Sequence, residues 1–166
     1  MQSEKFHIVY ISILVFTLFS ILNCEEELDP NVGIIDTPDG ILDAPTVLSV
    51  NDREYILDAF IWRDFMPSTD PGLQLLMAAI DLVDQDSTDM ADNVALEFLW
   101  LVKGDTTWAT TFTDEGRLNL GYKLHEMARN GPEWEIGAQV DVVVKVLIEN
   151  KEYRLQLAGQ TIQATC

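Results

Sequence analysis

The stretch that decides the fold is Val140-Asp141-Val142-Val143-Val144-Lys145-Val146-Leu147-Ile148, followed at once by Glu149-Asn150 and then Lys151-Glu152-Tyr153-Arg154-Leu155-Gln156-Leu157. In the first segment Val140, Val142, Val144, Val146 and Ile148 recur with a period of two. In the second, Tyr153, Leu155 and Leu157 alternate with Glu152, Arg154 and Gln156. A period of two puts one face of an extended chain against a core and the other toward water, and the short link makes the two segments a hairpin. Residues 160–165 read as a last edge strand.

The same punctuation runs back through the chain. Leu118, Leu120, Tyr122 and Leu124 alternate with Asn119, Gly121, Lys123 and His125, which predicts one strand with a wet face, ended by Asn130-Gly131-Pro132. Leu96, Phe98, Trp100 and Val102 alternate against Glu97 and Lys103, and Gly104-Asp105 turns the chain into Thr106 to Phe112 to make another hairpin. Residues 73–83 are apolar all round and bounded by turns, so their composition fits a helix, but their strand neighbours favour a strand. In residues 54–64, Tyr55, Leu57, Ala59 and Ile61 share one face and Ile56, Phe60 and Trp62 the other. Two apolar faces mark a central strand, and Asp58 on the second face needs a partner or an opening to water. With Thr46 to Val50 the count is seven to nine strands. The expectation is an all-β, immunoglobulin-like antiparallel β-sandwich over residues 46–166, with a closed barrel as the alternative. The Cys…Trp…Cys framework of true immunoglobulin domains is absent, so the likeness is one of architecture.

Upstream of residue 46 the chain is different. An apolar run from Ile8 ends in Ile21-Leu22-Asn23-Cys24, which resembles the lipobox of bacterial lipoproteins, with Asn23 where that family has a small residue. The segment Gly131-Pro132-Glu133-Trp134-Glu135-Ile136-Gly137 leading into Val140, together with Phe60 to Pro67, is similar to uncharacterised bacterial lipoproteins that carry an immunoglobulin-like sandwich. The resemblance implies a signal peptide over residues 1–23, cleavage before Cys24, and palmitate-type acyl chains on that cysteine. Two or more chains hold a protein stably on a membrane, since each buried methylene contributes about 0.8 kcal/mol. Residues 24–45, with Glu25-Glu26-Glu27, Pro30, Pro38 and Pro45, then read as a solvated, acidic, flexible tether. The implied address is the cell envelope, on a bacterial membrane, outer by preference, facing the periplasm or the surface. A lipidated Cys24 has no thiol to pair, which leaves Cys166 unpaired or linking two chains.

Acidic residues outnumber basic ones 28 to 10, and losing Glu4 and Lys5 with the signal peptide leaves the net charge at −18. Such a field repels phosphates and excludes a nucleic-acid role. Catalysis finds little support. His125 is the mature chain's single histidine and shares a polar face with Lys123. His125-Glu126-Met127-Ala128-Arg129 lacks the second histidine of a zincin, and there is no CxxC or glycine-rich phosphate loop. Asp81, Asp84, Asp86, Asp89 and Asp92 cluster in and beside one loop. The EF-hand spacing fails, because Asp89 stands where glycine is required and Ala95 where glutamate is, so the loop reads as solvated, with Asp84, Asp86 and Asp89 the calcium candidates and no cofactor expected. Of four tryptophans, Trp62 and Trp100 lie in apolar segments and read as core, while Trp108, among threonines on what reads as an edge strand, and Trp134 are the candidate exposed rings for a ligand. The functional expectation is a non-catalytic binding or adhesion module that meets the membrane through Cys24 and a protein or glycan at the envelope. An envelope protease inhibitor and a structural subunit of an envelope complex are the alternatives.

Overall fold

The computed structural model describes residues 33–65, 74–86 and 89–165. Residues 1–23, Cys24, the tether as far as residue 32, and Cys166 lie outside them. Among the described residues eleven strands run in chain order: β1 Gly33–Asp36, β2 Leu48–Val50, β3 Arg53–Asp64, β4 Leu76–Asp84, β5 Val94–Lys103, β6 Thr106–Thr111, β7 Thr113–Asn119, β8 Lys123–Gly131, β9 Gln139–Ile148, β10 Lys151–Thr161 and β11 Gln163–Thr165. They form two sheets, ordered β1-β6-β5-β9-β10 and β11-β3-β4-β8-β7, with β2 beside β3. All pairs are antiparallel except β11 with β3. Neither sheet closes on itself, so the sandwich stands and the barrel does not. Residues 76–84 are a strand, not a helix.

Two-residue turns set the register where the sequence is sharpest. Ile148 pairs with Lys151 across Glu149 and Asn150, whose φ angles are 51° and 62°. Val50 pairs with Arg53 across Asn51 and Asp52, at 53° and 60°. Two successive left-handed residues give the turn whose twist matches a hairpin. Between the sheets, Tyr55, Leu57 and Ile61 of β3, Leu76, Ala78, Ile80 and Leu82 of β4, and Val140, Val142, Val144 and Val146 of β9 interlock in the main core.

Three expectations change. The alternation from Leu96 to Val102 does not lie on one face. β5 carries a bulge between Leu96 and Phe98, where Glu97 is the extra residue. The extra residue reverses the parity, so Val94, Leu96, Leu99 and Leu101 point into the main core while Phe98, Trp100 and Val102 point out of the sandwich. Residues 118–125 are not one strand either. Gly121, at φ 77°, sits in the turn from β7 to β8, where its amide donates to Asn119 Oδ1 at 3.1 Å.

The largest change concerns residues 33–45, read above as tether. They are part of the fold, which begins by Gly33 and not at residue 46. β1 pairs with β6, so Thr106–Thr111 is an inner strand and not an edge. The chain then passes through a 3-10 turn at Ile41–Asp43, and Pro45 accepts a hydrogen bond from the Gln156 amide of β10 at 2.9 Å. The segment therefore crosses the first sheet from one edge strand to the other as a strap. Ile41, only 2% exposed, and Ala44 close over Phe98, Trp100, Val102, Ala109 and Val143. At one end of the strap Thr37 Oγ1 lies 3.0 Å from Thr107 Oγ1 and donates to the Gly104 carbonyl.

Candidate functional site

The strap covers the outer face of the first sheet, and its counterpart on the second sheet has no cover among the described residues. β3, β4 and β8 run side by side there, and their outward residues form rows across the sheet. Phe60, Ala79 and Met127 make one row, Asp58, Asp81 and His125 the next, and Trp62 lies opposite Met77. Phe60 and Trp62, two residues apart and so on the same face, stack with centroids 5.1 Å apart and planes at 29°. Phe60 is 41% exposed. Ala79, with only a methyl group, sits between the β3 aromatics and Met127. Since β3 and β8 are two strand spacings apart, about 9.5 Å, the result is a shallow trough along β4 with Ala79 as its floor. Arg129 closes one end, its guanidinium nitrogens 3.5 Å from Met77 Sδ and 3.8 Å from Met127 Sδ.

The other end of the trough is polar. Asp81 Oδ1 lies 2.7 Å from His125 Nδ1, and Asp81 Oδ2 accepts from Lys123 Nζ at 2.7 Å. The hydrogen bond to Asp81 is the main reason that the Lys123 ammonium is held above the ordinary lysine pKa of 10.5, against a smaller opposing effect of burial. Asp58, directly across from Asp81, is exposed and accepts from the Ala59 amide at 2.9 Å. The charge that demanded a partner or water thus faces the open side. Chemically the row offers carboxylate acceptors, an ammonium and an imidazole on a rigid sheet. Among the described residues no hydroxyl or thiol bonds the second ring nitrogen of His125, the place a nucleophile would take.

The residues singled out in the sequence are scattered elsewhere. Trp108 is 4% exposed, packed in the main core opposite Leu101, because β1 has taken the edge outside it. Trp134 is half-buried against the core, with Lys103 Nζ 5.6 Å from its ring centre and Arg63 Nη1 donating to its carbonyl at 3.0 Å. Lys103 also donates to Glu135 Oε2 at 2.6 Å and lowers that exposed carboxyl's pKa. Asp84 is fully buried and spoken for: Arg53 Nε donates to Oδ2 at 2.6 Å and the Asp86 amide to Oδ1 at 2.9 Å. Asp86 and Asp89 are exposed, and Asp89 gives its backbone carbonyl to Arg53. Among the described residues no group of three or more His, Cys, Asp or Glu is arranged to hold a metal ion. The other buried carboxylate, Glu126, is met by Arg117 at 2.6 Å. A buried charge needs such a partner, so both pairs serve the fold. Cys24 lies outside the described residues, and among these no helix is long and apolar enough to cross a membrane.

Phe60, Trp62, Met77, Met127 and Arg129 were not among the candidates. Trp62, read as core, is half-buried on the open face, whereas Trp100 is covered. The available signal was Asp58, which shares the parity of Phe60 and Trp62. An acid on that face implied water there, and therefore exposed rings beside it. Set against known proteins, the chain matches no family model, no curated protein and no solved structure.

Proposed function

We propose that the protein is a non-catalytic binding or adhesion module of the bacterial cell envelope, lipid-anchored at Cys24, that meets its partner with the open face of the second sheet. The observation that carries the reading is the Phe60–Trp62 stack left uncovered on a sheet face. Apolar rings rimmed by polar groups on a rigid face are where soluble domains bind. The lipobox-like Ile21-Leu22-Asn23-Cys24 supports the address.

Two experiments test it. Replacing Cys24 with Ser and fractionating the cells should release the protein from the membrane. Unchanged membrane association together with an unlipidated mass for the native chain would refute the anchor. For the face, association of the released Cys24→Ser chain with isolated envelope fractions should fall about tenfold when Phe60→Ser and Trp62→Ser are added, a loss of the size that central aromatic contacts give. Equal association by the two forms would remove the face from the proposal.

A further inference from the structure

The trough along β4 has a feature that a generic contact face does not require. Arg129 is exposed at its end, and among the described residues only the sulfurs of Met77 and Met127 meet its guanidinium. On the same face the ammonium of Lys123, by contrast, is held by Asp81. Among the described residues no carboxylate meets the Arg129 guanidinium, which lies on the same face as two stacked rings and is open to an outside anion.

We propose that the trough binds a saccharide that carries a carboxylate. This rests on the binding-module reading above and names its ligand class. The C–H face of a sugar ring lies against Phe60 and Trp62, its width accommodated above Ala79 between β3 and β8. Its carboxylate meets Arg129 at one end, and its hydroxyls reach Asp58 and the Asp81–His125 pair at the other. The sheet itself argues against an acidic peptide as the occupant. β4 is paired on both sides, by β3 and β8, so the trough presents no free backbone amides to an extended chain, whose own polar backbone would be left unsatisfied. Hydroxyls and a carboxylate need only the side chains present. The first sheet supplies a contrast within the molecule: its own aromatic pair, Phe98 and Trp100, tilted at 55°, is covered by the strap.

The test is a titration of the full chain in detergent micelles with uronate and sialate oligosaccharides and with their neutral counterparts, followed by calorimetry. Acidic oligosaccharides should bind and neutral ones should be at least about tenfold weaker, the worth of one charge-assisted hydrogen-bond pair. Arg129→Gln should remove that preference with an unchanged thermal melt, and Phe60→Ala should weaken both classes. Equal binding of acidic and neutral sugars, or acidic binding indifferent to Arg129→Gln, overturns the proposal, as does no binding of any saccharide at millimolar concentration. If the sugars fail while the Phe60/Trp62 double variant still loses the envelope fractions, the binding module stands with a different ligand. If that loss is absent too, both readings fall.

Discussion

The two outer faces of the sandwich carry the same device and treat it in opposite ways. On the first sheet Phe98 and Trp100 meet at 4.7 Å with planes tilted by 55°, and on the second Phe60 and Trp62 stack at 5.1 Å, each pair two residues apart on a long inner strand. The first pair is buried beneath Ile41 and Ala44, and Arg154 also lies 5.6 Å from the Trp100 ring. The second pair is open. Covering Phe98 orders the thirteen-odd residues of the strap, at about 1–2 kcal/mol of backbone entropy each, and their hydrogen bonds and buried apolar area offset it. The chain thus covers one aromatic pair and, among the described residues, leaves the other open with Arg129 on the same face.

The sharpest way to break this contrast is to make the same substitution on both faces. Phe98→Ala should cost about 3–4 kcal/mol in chemical denaturation, because a buried ring leaves a cavity, while Phe60→Ala should cost about 1 kcal/mol or less. Comparable losses would mean that the open face is held as tightly as the covered one. Next in size, Ile41→Ala should lower stability by about 2–3 kcal/mol and speed hydrogen exchange of the β1 amides. Exchange at the rate of the native chain would show that Ile41 does not hold the strap down. Gly131→Ala probes the joint between the sheets: a methyl group there would lie 2.8 Å from the Trp108 ring and 2.9 Å from Leu76 Cβ, tighter than real contacts allow. Its melt should report about 1–3 kcal/mol of overpacking strain.

The smallest effect is an alkaline one. Burial raises the Tyr55 phenol above its ordinary 10.0, and hydrogen bonds raise Lys123, through Asp81, and Lys145, through Glu152 and Glu97, above 10.5. In each case the folded state holds its proton more tightly than the unfolded one. Their contribution is fully present below the ordinary values and is lost as pH rises through the raised ones. The melting temperature should therefore be flat toward pH 9 on their account and fall above about pH 10. A Lys123→Met variant should show a shallower fall, and an identical pH profile would detach the open face from it.

How much of this was legible depended on whether a local rule had a competitor. The β9–β10 hairpin was plain, because its alternation runs unbroken to a turn of Glu149 and Asn150. β5 looked as plain and was not. One bulge at Glu97 moved Phe98, Trp100 and Val102 from the inner face to the outer, and periodicity cannot locate an extra residue that keeps the chain extended. At Gly121, alternation on both sides masked a turn that Asn119 and Gly121 do signal. The strap was hidden by its composition. Prolines and glycines exclude a helix, yet they do not prevent a short strand and a single buried Ile41. Missing it also misplaced Trp108, whose apparent edge strand acquires β1 as an outer neighbour. The open face was half legible, through Asp58. Arg129 was not, since being unpaired is a property of three-dimensional neighbours.

The strap also fixes how the molecule would bear mechanical load. A chain anchored ahead of Gly33 and gripped by the far face of the second sheet receives tension at β1, whose four residue pairs with β6 are the first in line. The sandwich would yield there before its core does. Loss of the strap from its sheet would uncover Phe98 and Trp100, so the apolar face beneath is only as well hidden as β1 and Ile41 are well held.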